Sequence, residues 1–240
     1  MIYNKIIESR GKEKLFALLL DPDKCDTDHL NKILSVASQS NISMLLVGGS
    51  LVNSDLNIFI LKIKKRSKIP IVLFPGSAQQ FAKEADAILL LSLISGRNPE
   101  FLIGNHVLAS EAIKRSGVEI LPTGYMLIES GVQTSVQYMS NTMPIPSTKI
   151  DIAVATALAG QQLGLKLIYL EAGSGAKNPV PVEMIKAIRN EIDIPLIVGG
   201  GLRTPEQVKT VWNAGADMVV VGNALENDIK KLTMMADREY

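Results

Sequence analysis

The sequence predicts an α/β protein folded as a closed (β/α)8 TIM-type barrel, and three observations carry that prediction. Eight short runs rich in Val, Ile and Leu recur along the chain and alternate with longer amphipathic or mixed segments. The runs are continuously apolar rather than alternating, which suits strands covered on both faces, as in a parallel sheet wrapped by helices. The length of 240 residues is close to the roughly 250 typical of this barrel. With 47% hydrophobic residues the chain can bury a sizeable core as a single domain over residues 1–240.

The strand signals, in order, are LFALLL (15–20), SMLLVG (43–48), IPIVLF (69–74), AILLLS (87–92), VEILPTGYMLI (118–128), LKLIYL (165–170), IPLIVG (194–199) and DMVVVG (217–222). Residues 26–40 read as a helix opened by an acidic cap region, and residues 53–67 as an apolar-faced helix ending in the basic run Lys62, Lys64, Lys65 and Arg66. Residues 99–115, 148–163, 181–191, 204–213 and 224–236 supply the remaining helices. The third connection, 75–86, is too short for more than about two helical turns. An internal echo supports a barrel: KIPIVLFPGS (68–77) followed by EADAILLLSLISG (84–96) is similar to DIPLIVGGGL (193–202) followed by AGADMVVVGNA (214–224). Strands three and four would then sit half a barrel from strands seven and eight.

Composition narrows the function classes. The 25 Lys+Arg against 24 Asp+Glu leave a formal charge of +1, too little for counterion-driven binding to a nucleic-acid backbone, so no nucleic-acid partner is expected. Cys25 stands alone and cannot form an internal disulfide, and His29 and His106 lie too far apart for a zinc-ligand spacing. The apolar runs at 15–20 and 87–94 are too short for a signal-peptide core or a membrane span. A cytoplasmic protein without a transmembrane segment is expected, one still able to act on a lipid or to touch a membrane peripherally. The basic run 62–66 reads as a solvated helix end, and Trp212, the methionines and His106 as packing residues.

In this fold, function lies at the C-terminal ends of the strands. After strand seven comes Gly199-Gly200-Gly201, and after strand eight Gly222-Asn223 at an expected helix start. Glycines let the backbone approach an anion and helix N-termini point their N–H groups at it, so the two segments predict a phosphate site. Strand six ends in Tyr169-Leu170-Glu171-Ala172-Gly173-Ser174-Gly175. Strand alternation turns Tyr169 and Glu171 to one side, and a carboxylate beside a phosphate site is suited to take a proton from a hydroxyl, so Glu171 is the candidate base. Strand one ends in Asp21-Pro22-Asp23-Lys24 and strand two in Gly48-Gly49-Ser50. A carboxylate and a hydroxyl on adjacent strands suit Mg2+, whose shell substrate phosphates and water complete; Asp23 fits helix capping equally well. Residues 129–148 lack periodicity and form a candidate substrate-covering loop.

Together, LLLDPDK, LLVGGS, LPTGYMLIESG, IYLEAGSGA, IVGGGLRTPEQV and GADMVVVGNALE resemble the geranylgeranylglyceryl phosphate synthase family, which includes heptaprenylglyceryl phosphate synthases; the YLEAGSG form is similar to its second group. The resemblance implies transfer of a prenyl group from an all-trans polyprenyl diphosphate to the 3-hydroxyl of sn-glycerol 1-phosphate, with Mg2+ as cofactor. Carried onto this sequence, Asp21 and Ser50 would bind Mg2+. Tyr169, Leu170, Glu171, Ala172, Gly173, Ser174, Gly175, Gly200, Gly201, Gly222 and Asn223 would hold glycerol phosphate. It further implies a homo-oligomer, dimer or hexamer, and a reduced third helix that leaves a groove for the prenyl chain. Residues 75–86 and 95–105 would border that groove, Phe81 and Phe101 would be its candidate walls, and geranylgeranyl diphosphate is the expected donor. A phosphosugar isomerase or aldolase barrel would share the phosphate site but needs a second acid or a Schiff-base lysine, for which Lys24 is the only obvious strand-end candidate. A non-catalytic phosphate-binding module would not need Asp21 and Glu171.

Overall fold

Eight parallel strands close on themselves in sequence order, β1 (Leu15–Leu20), β2 (Met44–Val47), β3 (Ile71–Leu73), β4 (Ala87–Leu93), β5 (Glu119–Leu127), β6 (Leu167–Glu171), β7 (Leu196–Gly199) and β8 (Met218–Val221), with β8 pairing back onto β1. The computed structural model describes residues 1–222 and 230–237. Each apolar run feeds two layers because its side chains alternate. Leu15, Ala17, Met44, Leu46, Ile197 and Val220 fill the barrel interior, while Phe16, Leu18, Leu45, Val47, Val198 and Val221 pack outward beneath the helices. Both layers are buried, which explains why the strands read as continuous rather than alternating apolar segments.

The helices are α1 (Ile2–Ser9), α2 (Thr27–Ala37), α3 (Leu56–Lys64), α4 (Asn105–Ser116), α5 (Ser135–Ser140), α6 (Ile150–Gln162), α7 (Val182–Glu191), α8 (Pro205–Asn213) and α9 (Lys230–Ala236). Asp26 and Asp55 cap α2 and α3 by accepting from the backbone N–H of His29 and Ile58. Thr204 and Gln207 form a capping box at α8. Lys64, in the last turn of α3, pairs with Asp86 at 2.7 Å. The connection 75–86 holds no helix, and a π-helical turn, Glu100–Gly104, leads into α4. The internal echo therefore extends to the strands and not to what joins them, since α8 links β7 to β8 whereas only turns link β3 to β4.

Two helices were not expected. The first, α1, closes the bottom of the barrel: Ile2, Tyr3 and Ile6 pack into the interior cluster, and the Ile2 and Tyr3 N–H groups donate to the Glu119 carboxylate. The second, α5, lies within residues 129–148, which therefore form no simple loop. The end of that segment returns beside β5, where the Ile145 N–H donates to the Leu127 carbonyl at 2.9 Å.

Candidate active site at the barrel mouth

A cavity of about 700 Å3 opens over the C-terminal ends of the strands. It gathers Asp21 from the end of β1, Ser50 after β2, Tyr169 and Glu171 from β6, and Gly173, Ser174 and Gly175 from the turn that follows. Gly200 and Gly201 after β7 and Gly222 after β8 also line it, as expected. Leu170 and Ala172 do not line it: their side chains turn outward into the layer under the helices, as the period of the strand requires. Asn223 lies outside the described residues, as does the expected helix start at 224; the described part of the last helix begins at Lys230.

Glu171 is held by the sheet on both sides, its carbonyl accepting from the Ile128 N–H at 2.8 Å while the next residue, Ala172, donates to the Gly199 carbonyl at 3.0 Å. Its side chain is buried, 6% exposed, and accepts from the Gly173 N–H at 2.6 Å. Burial raises its carboxyl to about 7, against the partial opposition of the Gly173 N–H and the Tyr169 hydroxyl. The Tyr169 hydroxyl is itself buried and makes no well-formed hydrogen bond, and burial followed by the Glu171 charge pushes its own ionisation well up. Glycine is required here by space. A Cβ on Gly200, whose φ is +83°, would sit 2.3 Å from Glu171 Oε1 and 2.6 Å from the Gly173 nitrogen. The glycine run after β7 thus makes room for the carboxylate as well as bordering the cavity.

Asp21 caps the short turn Pro22–Lys24 by accepting from the Asp23 N–H at 3.1 Å, and its Oδ2 lies 3.6 Å from Lys24 Nζ. A Cβ on Gly49 would stand 3.4 Å from Asp21 Oδ2, so the carboxylate lies against the loop that carries Ser50. One carboxylate and one hydroxyl, with no third acidic, His or Cys partner grouped around them among the described residues, is a donor set that fits Mg2+ only when substrate phosphate oxygens and water join it. Asp23 points elsewhere. It accepts from the backbone of Asn53 and Ser54 at 2.8 Å, and bonds from Ser54 and Asn53 hold its carboxyl down at about 2. It clamps the β2–α3 loop. Lys24 faces the cavity ion-paired and half-exposed, not as the desolvated amine that Schiff-base chemistry needs.

A second, apolar cavity of about 110 Å3 runs from the first beneath the helix-less connection 75–86. Gly49, Ser50, Phe74, Tyr125, Val136 and Met139 border both, so the two are continuous. Phe81 and Phe101 lie on its wall, as expected. So does His106, assigned to packing from the sequence: its Nε2 is 3.3 Å from Ser92 Oγ, and burial lowers its basicity. Phe74 stacks on Tyr169 with centroids 5.3 Å apart, and Tyr125 tilts against both, forming an aromatic floor between the cavities.

The segment 129–148, expected to cover the substrate, borders the mouth, although none of its residues was singled out by the sequence. Gln133, Thr134, Ser135 and Tyr138 enter the cavity from around α5. Thr134 packs so closely against Gly173 that a Cβ there would meet it at 2.5 Å. Arg203 donates from its guanidinium to the carbonyls of Ala176 and Lys177, tying the loop after β7 to that after β6. Arg203 was not foreseen, and its signal is its position directly after the glycine run and Leu202.

The PcrB family matches residues 4–238 of this chain. A geranylgeranylglyceryl phosphate synthase from Spirosoma linguale is 50% identical over 93% of this chain and 90% of its own length. Another from Chitinophaga pinensis is 46% identical over 98% and 94%. A crystal structure of (S)-3-O-geranylgeranylglyceryl phosphate synthase from Thermoplasma acidophilum, in complex with substrate sn-glycerol-1-phosphate, superposes with a TM-score of 0.92 at 30% identity, covering 98% of this chain and 97% of that one. With residues 4–238 matched and relatives of this name 46–50% identical over most of its length, the chain belongs to the PcrB family, the family of the geranylgeranylglyceryl phosphate synthases.

Proposed function

We propose that this protein transfers a polyprenyl group from its diphosphate to the 3-hydroxyl of sn-glycerol 1-phosphate. The observation that carries the reading is the junction of a polar cavity holding a buried, proton-accepting carboxylate with an apolar groove walled by Phe81 and Phe101. The relatives' names and the glycerol phosphate held by the Thermoplasma acidophilum enzyme support it. The backbone around Gly173, Ser174, Gly175, Gly200, Gly201 and Gly222 borders the space for the glycerol phosphate. The hydroxyl oxygen forms a bond to the first carbon of the prenyl chain, the bond from that carbon to the diphosphate oxygen breaks, and the diphosphate leaves with the electron pair. Glu171, close to neutrality in its acidity, takes the hydroxyl proton. Asp21 and Ser50 would hold Mg2+, which when bound supplies positive charge to the departing diphosphate. The aromatic floor excludes water from the developing allylic cation.

The donor is geranylgeranyl diphosphate in this reading, and the enzyme works as a homo-oligomer, dimer or hexamer, which light scattering measures. The deciding experiment is diphosphate release with farnesyl, geranylgeranyl and heptaprenyl diphosphates, with and without Mg2+ and sn-glycerol 1-phosphate. Release that needs all three components is expected. Release independent of glycerol phosphate, or none with any donor, would overturn the assignment.

A further inference from the structure

Around the entrance to the apolar groove, large apolar side chains stand in solvent. On one side Leu51, in the β2–α3 loop, is 64% exposed. On the other, the segment between β5 and α6 exposes Val132, Met139, Tyr138 at 76% and Met143 at 83%. The two segments flank one opening, since Gly49 and Ser50, just before Leu51, border the groove together with Val136, Met139 and Ser140. Leu51, Tyr138 and Met139 also border the polar cavity. Single exposed apolar residues are ordinary, whereas a set that surrounds and continues into an apolar channel marks an interaction site. Met139 belongs to both groove wall and exposed rim, so the two form one apolar surface.

We propose that this rim docks the barrel mouth onto a lipid bilayer, so that the prenyl donor passes from the membrane into the groove and the product returns the same way. The inference rests on the prenyltransferase reading. A long prenyl tail is unfavourable in water at every methylene-sized unit, so its diphosphate lies in a bilayer with the charged end at the headgroups. The mouth offers a matching order, an apolar rim, a polar cavity beside it and an apolar groove leading inward. A second copy of this chain seated on the rim would instead cover the opening that both substrates need. Tyr138 and the flexible methionines are of the kind that settle at a lipid–water boundary, with an apolar body and a polar or adaptable tip. The formal charge of +1 makes apolar insertion, not attraction to anionic lipid, the source of binding.

Flotation of the full chain with vesicles tests this, using pure phosphatidylcholine and phosphatidylcholine mixed with phosphatidylglycerol. The protein is expected to float with both. Substituting Val132→Glu together with Met143→Glu, residues outside both cavities, is expected to lower the bound fraction about tenfold. Turnover with short, water-soluble geranyl diphosphate stays unchanged in that variant, which also reports intact folding, while turnover of vesicle-borne geranylgeranyl diphosphate falls about as much as binding. The pair Val132→Ser and Met143→Ser, which adds no charge, is expected to weaken binding in the same direction. A chain that stays unbound with both vesicles, or variants that bind like the parent, would overturn the docking. Concentration-dependent self-association abolished by the same variants would assign the rim to a second copy and overturn it as well. Flotation without diphosphate release from any donor would instead overturn the transferase reading.

Discussion

Replacing Glu171 with glutamine should make the protein more stable and nearly inactive, and both effects follow from the burial of one carboxylate. Its acidity in the folded state lies at about 7, against 4.5 for an ordinary glutamate. Between those values the folded chain holds a proton that the unfolded chain has lost. Stability therefore falls as pH rises through this window, and above it the buried charge costs about 3 kcal/mol. Glutamine keeps the shape and an acceptor for the Gly173 N–H. The weaker hydrogen bond of a neutral group is already contained in that difference, since the Gly173 N–H opposes the rise. At pH 8 the Glu171→Gln variant is thus expected to be about 3 kcal/mol more stable and to melt about 6–12 °C higher. At pH 4, below both values, the glutamate is protonated in the folded and mostly in the unfolded chain, and the two should melt within a degree or two of each other. Turnover should fall by about 10²–10⁴, with the KM for prenyl diphosphate unchanged. In the parent, kcat/KM for glycerol phosphate should rise with pH through about 7. The second ionisation of the substrate phosphate, near pH 6, gives a separate limb that the variant retains. Melting curves at the two pH values and steady-state diphosphate release make the comparison. A variant destabilised alike at both, or one that turns over like the parent, would refute the assignment of Glu171 as a buried base.

Asp21→Asn should lose most Mg2+-dependent turnover yet melt within a few degrees of the parent, because asparagine still caps the turn that Asp21 opens; unchanged Mg2+ titration of activity would remove Asp21 from the metal site. Gly200→Ala forces a side chain into positive φ and against Glu171, so a loss of about 1–3 kcal/mol in urea unfolding is expected together with a large fall in turnover. Geranylgeranyl diphosphate should show a higher kcat/KM than farnesyl or heptaprenyl diphosphate, and Phe81→Ala or Phe101→Ala, whichever removes the wall, should shift preference to longer donors. A parent enzyme that prefers the heptaprenyl donor would refute the chain-length expectation and leave the transfer chemistry standing.

The strands were legible because each is a run of apolar residues whose two faces both meet protein, and their order follows from closure. The bottom helix was not, since α1 is eight residues long with no side-chain cap, and the reason for its fold is the barrel interior that Ile6 enters. Likewise α5 has six residues, too few for a period, and Thr134 before it is fixed by contact with Gly173 from a distant part of the chain. In the site, the alternation that selected Tyr169 and Glu171 also turns Leu170 and Ala172 outward, so that correction was available from the strand itself. The contacts of Thr134 and Arg203 had to wait for the structure because loops from different strands meet there, and those of Phe74 and Tyr125 because they join side chains at three different strands.

The aromatic floor connects the two halves of the proposed chemistry. Phe74 and Tyr125 border the polar cavity on one side and the apolar groove on the other, and both pack against Tyr169, whose hydroxyl helps to keep Glu171 charged. The burial that raises the pKa of Glu171 and the dryness that suits a prenyl tail come together beside this layer of side chains. Widening that layer to admit a bulkier donor would also admit water, lower the pKa of Glu171 toward its ordinary value and weaken it as a base. Donor length is therefore better varied further along the groove, at Phe81 and Phe101, where a change of volume leaves the carboxylate in the same surroundings.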